Sequence, residues 1–273
     1  MRELRRRFER CAAEGRAAFL PYLTAGLPDP DSALTAFEAM AEAGADGFEV
    51  GIPYSDPLMD GPVIQEAARR ALAAGMDVDR SFELVAGVVD RTGVPVIAMT
   101  YVNPVLRRGV ARFMADAAAA GASGVIVADL PVDEADPFLD AARDAGVDLA
   151  LFAAPTTTPE RLARIGRARP GFVYAIADLG VTGERDRGSR RIGDLVAEIR
   201  RVTDAPVVLG VGITTVDDVR AAARLADGVI VGSALVRRVL EASPRAAIGE
   251  LGAAVAAYAA ACRRAPEKPL HGE

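Results

Sequence analysis

Glu42-Ala43-Gly44-Ala45-Asp46-Gly47-Phe48-Glu49-Val50-Gly51-Ile52 reads as a helix end, a glycine stop and an apolar strand in immediate succession. Glycine just past the last helical turn accepts the left-handed backbone that closes a helix. The same phrase returns as Ala120-Gly121-Ala122-Ser123 and as Asp144-Ala145-Gly146-Val147-Asp148, with Leu225-Ala226-Asp227-Gly228 as a variant lacking the first glycine. An apolar run rich in Val, Ile, Leu and Phe follows each time. Strands that read as continuous apolar runs between helices are parallel strands covered on both faces.

Working outward from that phrase, the chain of 273 residues holds eight such runs: 19–24, 47–52, 94–101, 124–129, 149–153, 172–177, 206–210 and 228–231. Helical patterns separate them. Asp31-Ser32, Thr158-Pro159-Glu160 and Thr214-Thr215 are the expected helix starts. Further helical stretches lie at 1–15 and 81–91. No linker rich in glycine, serine or proline divides the chain. Eight strand–helix units without a break predict an α/β chain folded as a single (β/α)8 TIM barrel, with an extra N-terminal helix and additional helices. An open doubly wound sheet is the competing architecture. The barrel is expected over 1–263, with 264–273 as a disordered tail.

Composition narrows the chemistry. The chain is 51% hydrophobic and 26% charged, with net charge −6 and a pI of about 5.1, and it offers no basic patch for nucleic acid. The arginine clusters 5–7, 190–191, 200–201 and 237–238 read as solvated faces. No segment approaches the roughly 18 apolar residues of a membrane span. Residues 1–8 carry charge with no apolar stretch behind them, so they read as an amphipathic helix rather than a secretory leader. Cys11 and Cys262 have no metal-ligand spacing, and reduced thiols in a cytoplasmic setting are the simplest account. The only histidine, His271, lies in the tail. Catalysis must therefore rest on carboxylates, tyrosines, hydroxyls and backbone, and no metal site is expected.

Barrel active sites gather at the C-terminal ends of the strands. The polar residues there are Tyr22 and Thr24, Glu49, then Thr100, Tyr101 and Asn103, then Asp129, with Tyr174 on the sixth run. Glu49 stands inside an apolar strand, and burying an acid is costly unless it is paired or used. It is either a catalytic acid–base or the partner of a buried hydroxyl. Asp60 lies in the long segment Asp56-Pro57-Leu58-Met59-Asp60-Gly61-Pro62, either as a turn former or as a reactive group on a lid. Gly210-Val211-Gly212 and Val231-Gly232-Ser233 follow the seventh and eighth runs, where barrels bind phosphate through main-chain N–H groups at a helix start. Tight turns alone would also use those glycines. Gly180-Val181-Thr182-Gly183 opens a charged stretch that reads as a mobile loop.

Taken together, 19–26, 49–62, Met99-Thr100-Tyr101, Asn103-Pro104, Ala128-Asp129-Leu130-Pro131, Gly180-Val181-Thr182-Gly183 and Gly232-Ser233-Ala234 resemble the tryptophan synthase alpha subunit family over nearly the whole chain. The resemblance implies aldol-type cleavage of indole-3-glycerol phosphate to indole and glyceraldehyde 3-phosphate. It makes Glu49 and Asp60 catalytic, with Tyr174 beside the glutamate. It lines the indole pocket with Tyr22, Met99, Ile126 and Phe152. It gives the phosphate to Gly183, Gly212, Gly232 and Ser233, and loop closure to Thr182. It implies no metal or organic cofactor for this chain. It implies an α2β2 complex with a pyridoxal-phosphate beta subunit, contacted through Pro53, Asp56, Pro57 and Asn103.

The chain departs from the family pattern at Ala177-Asp178-Leu179, where a Ser-Arg pair is common, and at Met59, where the residue is usually small. The altered loop and Met59 motivate one alternative, a stand-alone lyase that releases free indole; a second, a catalytically silent allosteric partner, is opposed by the intact Glu49 and Asp60. A different phosphosugar lyase or isomerase would fit the phosphate turns but not the aromatic pocket.

Overall fold

The computed structural model of the protein describes residues 3–176 and 185–264, with the backbone alone over 185–190. Every apolar run contributes to one parallel sheet. The strands are β1 (Ala18–Thr24), β2 (Phe48–Gly51), β3 (Val96–Thr100), β4 (Gly124–Val127), β5 (Asp148–Leu149), β6 (Leu151–Ala153), β7 (Val173–Ile176), β8 (Val207–Gly210) and β9 (Gly228–Val231). Their order is β5-β4-β3-β2-β1-β9-β8-β7-β6. All the pairings are parallel.

The two ends of that order, β5 and β6, are separated in sequence by Ala150 alone. The Ala150 N–H donates to Val125 O (3.0 Å), and the Leu151 N–H donates to Phe172 O (3.4 Å). The run 149–153 is thus one barrel position in two pieces. Its first half pairs toward β4 and its second toward β7, and the circle closes there. The open-sheet alternative is excluded by this closure.

The strands are buried almost throughout because side chains fill the barrel and helices sheathe it. The glycine stops behave as the sequence predicts: Gly44, Gly121 and Gly146 have φ of 102°, 80° and 79°. They end α2 (Ala33–Glu42), α6 (Val110–Ala119) and α7 (Asp136–Ala145). Between β2 and β3 lie α3 (Pro62–Ala73) and α4 (Val78–Thr92), and α5 (Val102–Arg108) precedes α6. The remaining helices are α8 (Pro159–Ala168), α9 (Arg185–Val202), α10 (Val216–Leu225), α11 (Ser233–Glu241) and α12 (Pro244–Ala261).

Two of the three expected caps form. Thr158 accepts from the Arg161 N–H, and Thr215 with Asp218 makes a capping box at α10. The third does not: the Ser32 side chain makes no cap bond, and Asp29 Oδ1 instead accepts from the Asp31 and Ser32 N–H groups.

The N-terminal mouth of the barrel is stoppered by α1 (Glu3–Ala13), which buries Leu4, Phe8 and Cys11. The Phe8 ring lies 6.3 Å from that of Phe172, just before β7. A Cβ on Gly228, the first residue of β9, would stand 2.8 Å from Phe8. Behind this helix Arg16 grips Asp46 through two guanidinium nitrogens, and the Phe19 N–H donates to the same carboxylate at 3.0 Å. Cys11 and Cys262 are free and buried, and burial pushes each thiol up to about 12. Arg264, at the head of the expected tail, is tied down through Nη2 to Ala226 O (2.8 Å), and its N–H donates to Gly15 O (3.0 Å). Residues 265–273, with His271, lie outside the described residues. No described helix is long and apolar enough to cross a membrane.

Candidate active site

Strand register brings the expected residues to one end of the barrel. Tyr22 on β1 pairs with Glu49 on β2, Met99 on β3 with Ile126 on β4, and Phe152 on β6 with Tyr174 on β7. All six line a cavity of about 230 Å³. Asp60 reaches it from the loop before α3, and Gly212, Gly232 and Ser233 reach it from the turns after β8 and β9. The residues expected to line a ring pocket, the two acids and the described residues expected to bind phosphate therefore meet in a single cleft. Thr182 and Gly183 lie outside the described residues.

Two glycines make room for the phenols. A Cβ on Gly51 would overlap the Tyr22 hydroxyl, and one on Gly210 would overlap the Tyr174 hydroxyl. The Tyr22 hydroxyl lies 3.2 Å from Thr24 Oγ1. The Phe152 and Tyr174 rings lie 5.0 Å apart. Burial raises both Tyr22 and Tyr174 well above the ordinary phenol range, so they act as neutral aromatic walls with hydroxyl edges.

Glu49 is only 4% exposed, and its Oε2 has no hydrogen-bond partner among the described residues. Among the described residues no buried hydroxyl bonds that oxygen, so the hydroxyl-partner alternative gains no support there. Burial, and secondarily the Asp60 charge, pushes its carboxyl up to about 8. At neutral pH it carries a proton that it can give away, which suits a general acid.

Asp60 has a different setting. Its carboxylate does not cap α3, whose N-cap is Gly61 with Pro62 behind it. Instead the Tyr101 hydroxyl donates to Asp60 Oδ2 at 2.8 Å. Burial raises Asp60 above the usual carboxylate range, and the Tyr101 bond offsets only part of that rise. One protonated acid and one hydrogen-bonded acid in one apolar cleft can protonate a carbon and steady a developing cation on the same ring.

At the far side Val211 and Gly212 both take left-handed backbone, with φ of 69° and 75°. A β-branched residue is strained there, and Val211 is 56% exposed at the cavity wall. The turn is anchored from behind, where the Tyr258 hydroxyl donates to Thr214 O at 2.8 Å. The first N–H groups of α11, from Ser233, have no carbonyl within the helix to bond and face an anion readily.

The expected partner-facing residues divide. Asp56 and Asn103 are exposed and Pro57 is half-buried, whereas Pro53 is buried and offers no surface. Asn103 Nδ2 donates to the Tyr54 hydroxyl at 2.9 Å, which ties α5 to the loop after β2. Beside them Leu58 and Met59 are 80% and 61% exposed, and Leu106 is also exposed.

Sequence reasoning missed the Tyr101–Asp60 bond and the contributions of Met59, Ile64 and Val211 to the cavity wall. Tyr101 was visible as a polar strand-end residue, but nothing local pairs it with an acid 41 positions away.

The family model described as tryptophan synthase alpha chain matches residues 8–263. A tryptophan synthase alpha chain from Synechococcus sp. (strain CC9902) is 47% identical over 249 residues, covering 90% of this chain and 92% of that one. Its counterpart from Mycobacterium marinum is 45% identical over 250 residues, covering 91% and 93%. Among solved structures, one of Mycobacterium tuberculosis tryptophan synthase superposes with a TM-score of 0.87 at 41% identity, covering 97% of this chain and 99% of that one. A Legionella pneumophila tryptophan synthase alpha chain gives 0.88 at 30% identity, covering 98% and 100%.

Proposed function

This chain belongs to the tryptophan synthase alpha chain family, and from that membership we propose how its side chains divide the work. It catalyses the alpha reaction, cleavage of indole-3-glycerol phosphate to indole and glyceraldehyde 3-phosphate, a carbon–carbon lyase step of tryptophan biosynthesis.

Glu49 starts protonated and gives its proton to indole C3. Positive charge then spreads to the ring nitrogen, where the Asp60 carboxylate accepts the N–H and stabilises the cation. The bond between C3 and the glycerol chain breaks, its electron pair returns to the ring, and the side-chain hydroxyl becomes a carbonyl. The Glu49 carboxylate takes the hydroxyl proton and ends the turnover protonated, as it began. Tyr22, Met99, Ile126, Phe152 and Tyr174 hold the ring. Gly212, Gly232 and Ser233 hold the phosphate, with Gly183 as a fourth donor and Thr182 as the group that engages the loop when the site closes. Main-chain donors explain how a chain of net charge −6 binds an anion.

The steps are proton transfers within reach of these side chains, so we propose no metal or organic cofactor for this chain. Pyridoxal phosphate would belong to a beta subunit docked on the face of Asp56, Pro57 and Asn103 in an α2β2 complex, in a cytoplasmic setting.

The observation that supports the roles most directly is the unpartnered oxygen of Glu49 at the wall of an apolar cleft that Asp60 also lines. Release of indole from indole-3-glycerol phosphate by the purified chain tests it. Glu49→Gln should lower kcat by ~10²–10⁴-fold, the usual worth of a general acid–base group. Asp60→Asn should lower it by about 10²-fold with a smaller change in KM. Near wild-type turnover by either variant would remove that residue from the mechanism.

A further inference from the structure

We propose that Tyr101 is a positioning residue that aims and orients the Asp60 carboxylate for the indole N–H. The inference rests on the reading of Asp60 given above.

Asp60 lies in an irregular stretch between β2 and α3 whose neighbours Leu58 and Met59 are mostly exposed. Packing alone does not fix where its carboxylate points. Tyr101 is the opposite case. It is 3% exposed and stands at the N-cap of α5, directly behind β3. The Val102 N–H donates to Asp129 Oδ1 at 2.7 Å, which fixes the backbone where the chain leaves the strand. The Tyr101 ring lies 5.3 Å from the Tyr54 ring, and Asn103 holds the Tyr54 hydroxyl. A buried phenol thus meets a carboxylate on an exposed loop whose backbone, but not whose carboxylate, is held by the bonds of the Asp60 N–H to Pro57 O and of Gln65 Nε2 to Asp60 O.

The division of lone pairs suits the chemistry. The phenol occupies Oδ2 and leaves Oδ1 to accept the substrate N–H. Burial and the neighbouring Asp60 push the Tyr101 hydroxyl far above its ordinary range, so it stays a donor at every working pH. The same bond limits the rise that burial imposes on Asp60, which favours the ionised form the cation needs. The other ionisable groups that face this pair are Glu49 on β2, Tyr22 on β1, Tyr174 on β7 and Asp129 after β4. All four side chains remain when the Tyr101 hydroxyl is removed, and of them Tyr22 and Asp129 also feel Tyr101 directly.

Tyr101→Phe, in the full chain and again on an Asp60→Asn background, tests this across pH. In the otherwise native chain kcat should fall about tenfold with KM changed less than about threefold, as expected for a misaimed group. The acid limb of kcat should move to higher pH, because the carboxylate loses the donor that lowered it. Thermal unfolding should show that the isosteric variant is folded. On the Asp60→Asn background the same substitution should change kcat less than about twofold. An equal drop on both backgrounds, or an unmoved acid limb, would show that Tyr101 does not act through Asp60. Near wild-type turnover by Asp60→Asn alone would fail the Asp60 reading itself, and that result is distinct because Tyr101 is intact in it.

Discussion

Asp46 and Glu49 stand three residues apart, one just before β2 and the other inside it, and each is 4% exposed. Their surroundings have nothing in common. Asp46 is held by two guanidinium nitrogens of Arg16 and by the Phe19 N–H, at the end of the barrel that α1 seals. Glu49 keeps an oxygen with no partner among the described residues, in the cleft at the open end. A satisfied buried acid is part of the fold, whereas an unsatisfied one is a cost that the fold retains for chemistry. In the proposed mechanism the contrast also separates the ends of the barrel, the N-terminal end serving stability and the C-terminal end serving catalysis.

The sharpest break comes from neutralising Glu49. Its carboxyl is raised from 4.5 to about 8. At about 1.4 kcal/mol per pH unit, that is roughly 4 to 5 kcal/mol of preference for the neutral form. The proton is bound more tightly in the folded chain, so this stability is complete below about pH 4.5 and is lost as pH rises through 8. Glu49→Gln cannot ionise. Its thermal unfolding should match wild type below about pH 4.5, exceed it increasingly up to about pH 8 and level off above that, while its turnover is nearly gone. In the wild type kcat/KM should decline above about pH 8 as the free enzyme loses the proton it must give. A wild-type rate that stays flat through pH 9 would contradict the general-acid role.

The same operation at the other end should have the opposite sign. Arg16→Met leaves the Asp46 carboxylate buried beside the lone Phe19 N–H. Removing one partner of a buried pair costs about 3–5 kcal/mol, which for a chain of this size lowers Tm by about 10 °C. The kcat of the folded fraction should stay within about twofold, because the pair touches no part of the cleft. Adding Asp46→Asn should recover part of the loss, since the stranded charge is gone. If the contrast is right, the melting curve moves in opposite directions for the two acids, and the rate falls only at Glu49.

This contrast was only half legible in the sequence. Strands buried on both faces read as continuous apolar runs, so all the barrel positions could be counted and Glu49 stood out as an acid flanked by apolar residues inside a run, where Asp129 only ends one. The hand-over at Ala150 was invisible, because a strand that changes neighbours keeps the same apolar composition. Asp46 read only as a helix-end residue, since its partner Arg16 lies 30 positions away. The Asp60–Tyr101 pairing was hidden for the same reason. Local cues served better at helix starts, where Thr158 and Thr215 cap as expected, and failed at Ser32, whose side chain makes no cap bond while Asp29 takes the Asp31 and Ser32 N–H groups.

The smallest effect tests how far the catalytic end depends on ordinary local structure. Thr215 and Asp218 form the capping box of α10, and Asp218 also accepts from the Thr214 N–H. These bonds fix the base of the turn whose upper part, Val211 to Thr214, lines the cleft. The strain at Val211 must be held by something, and the box and the Tyr258 bond are the restraints closest to it. Thr215→Ala removes the side-chain half of the box, a loss of about 1 kcal/mol and a few degrees in Tm. If the turn serves the phosphate, the slackened backbone should raise KM by roughly threefold while kcat hardly moves, because the ring and the two acids are untouched. Inorganic phosphate should protect the variant against heating less than it protects wild type, since a ligand stabilises only as far as it binds. An unchanged KM with the same loss in Tm would make the box purely structural and confine the functional end of the barrel to the first residues of the turn.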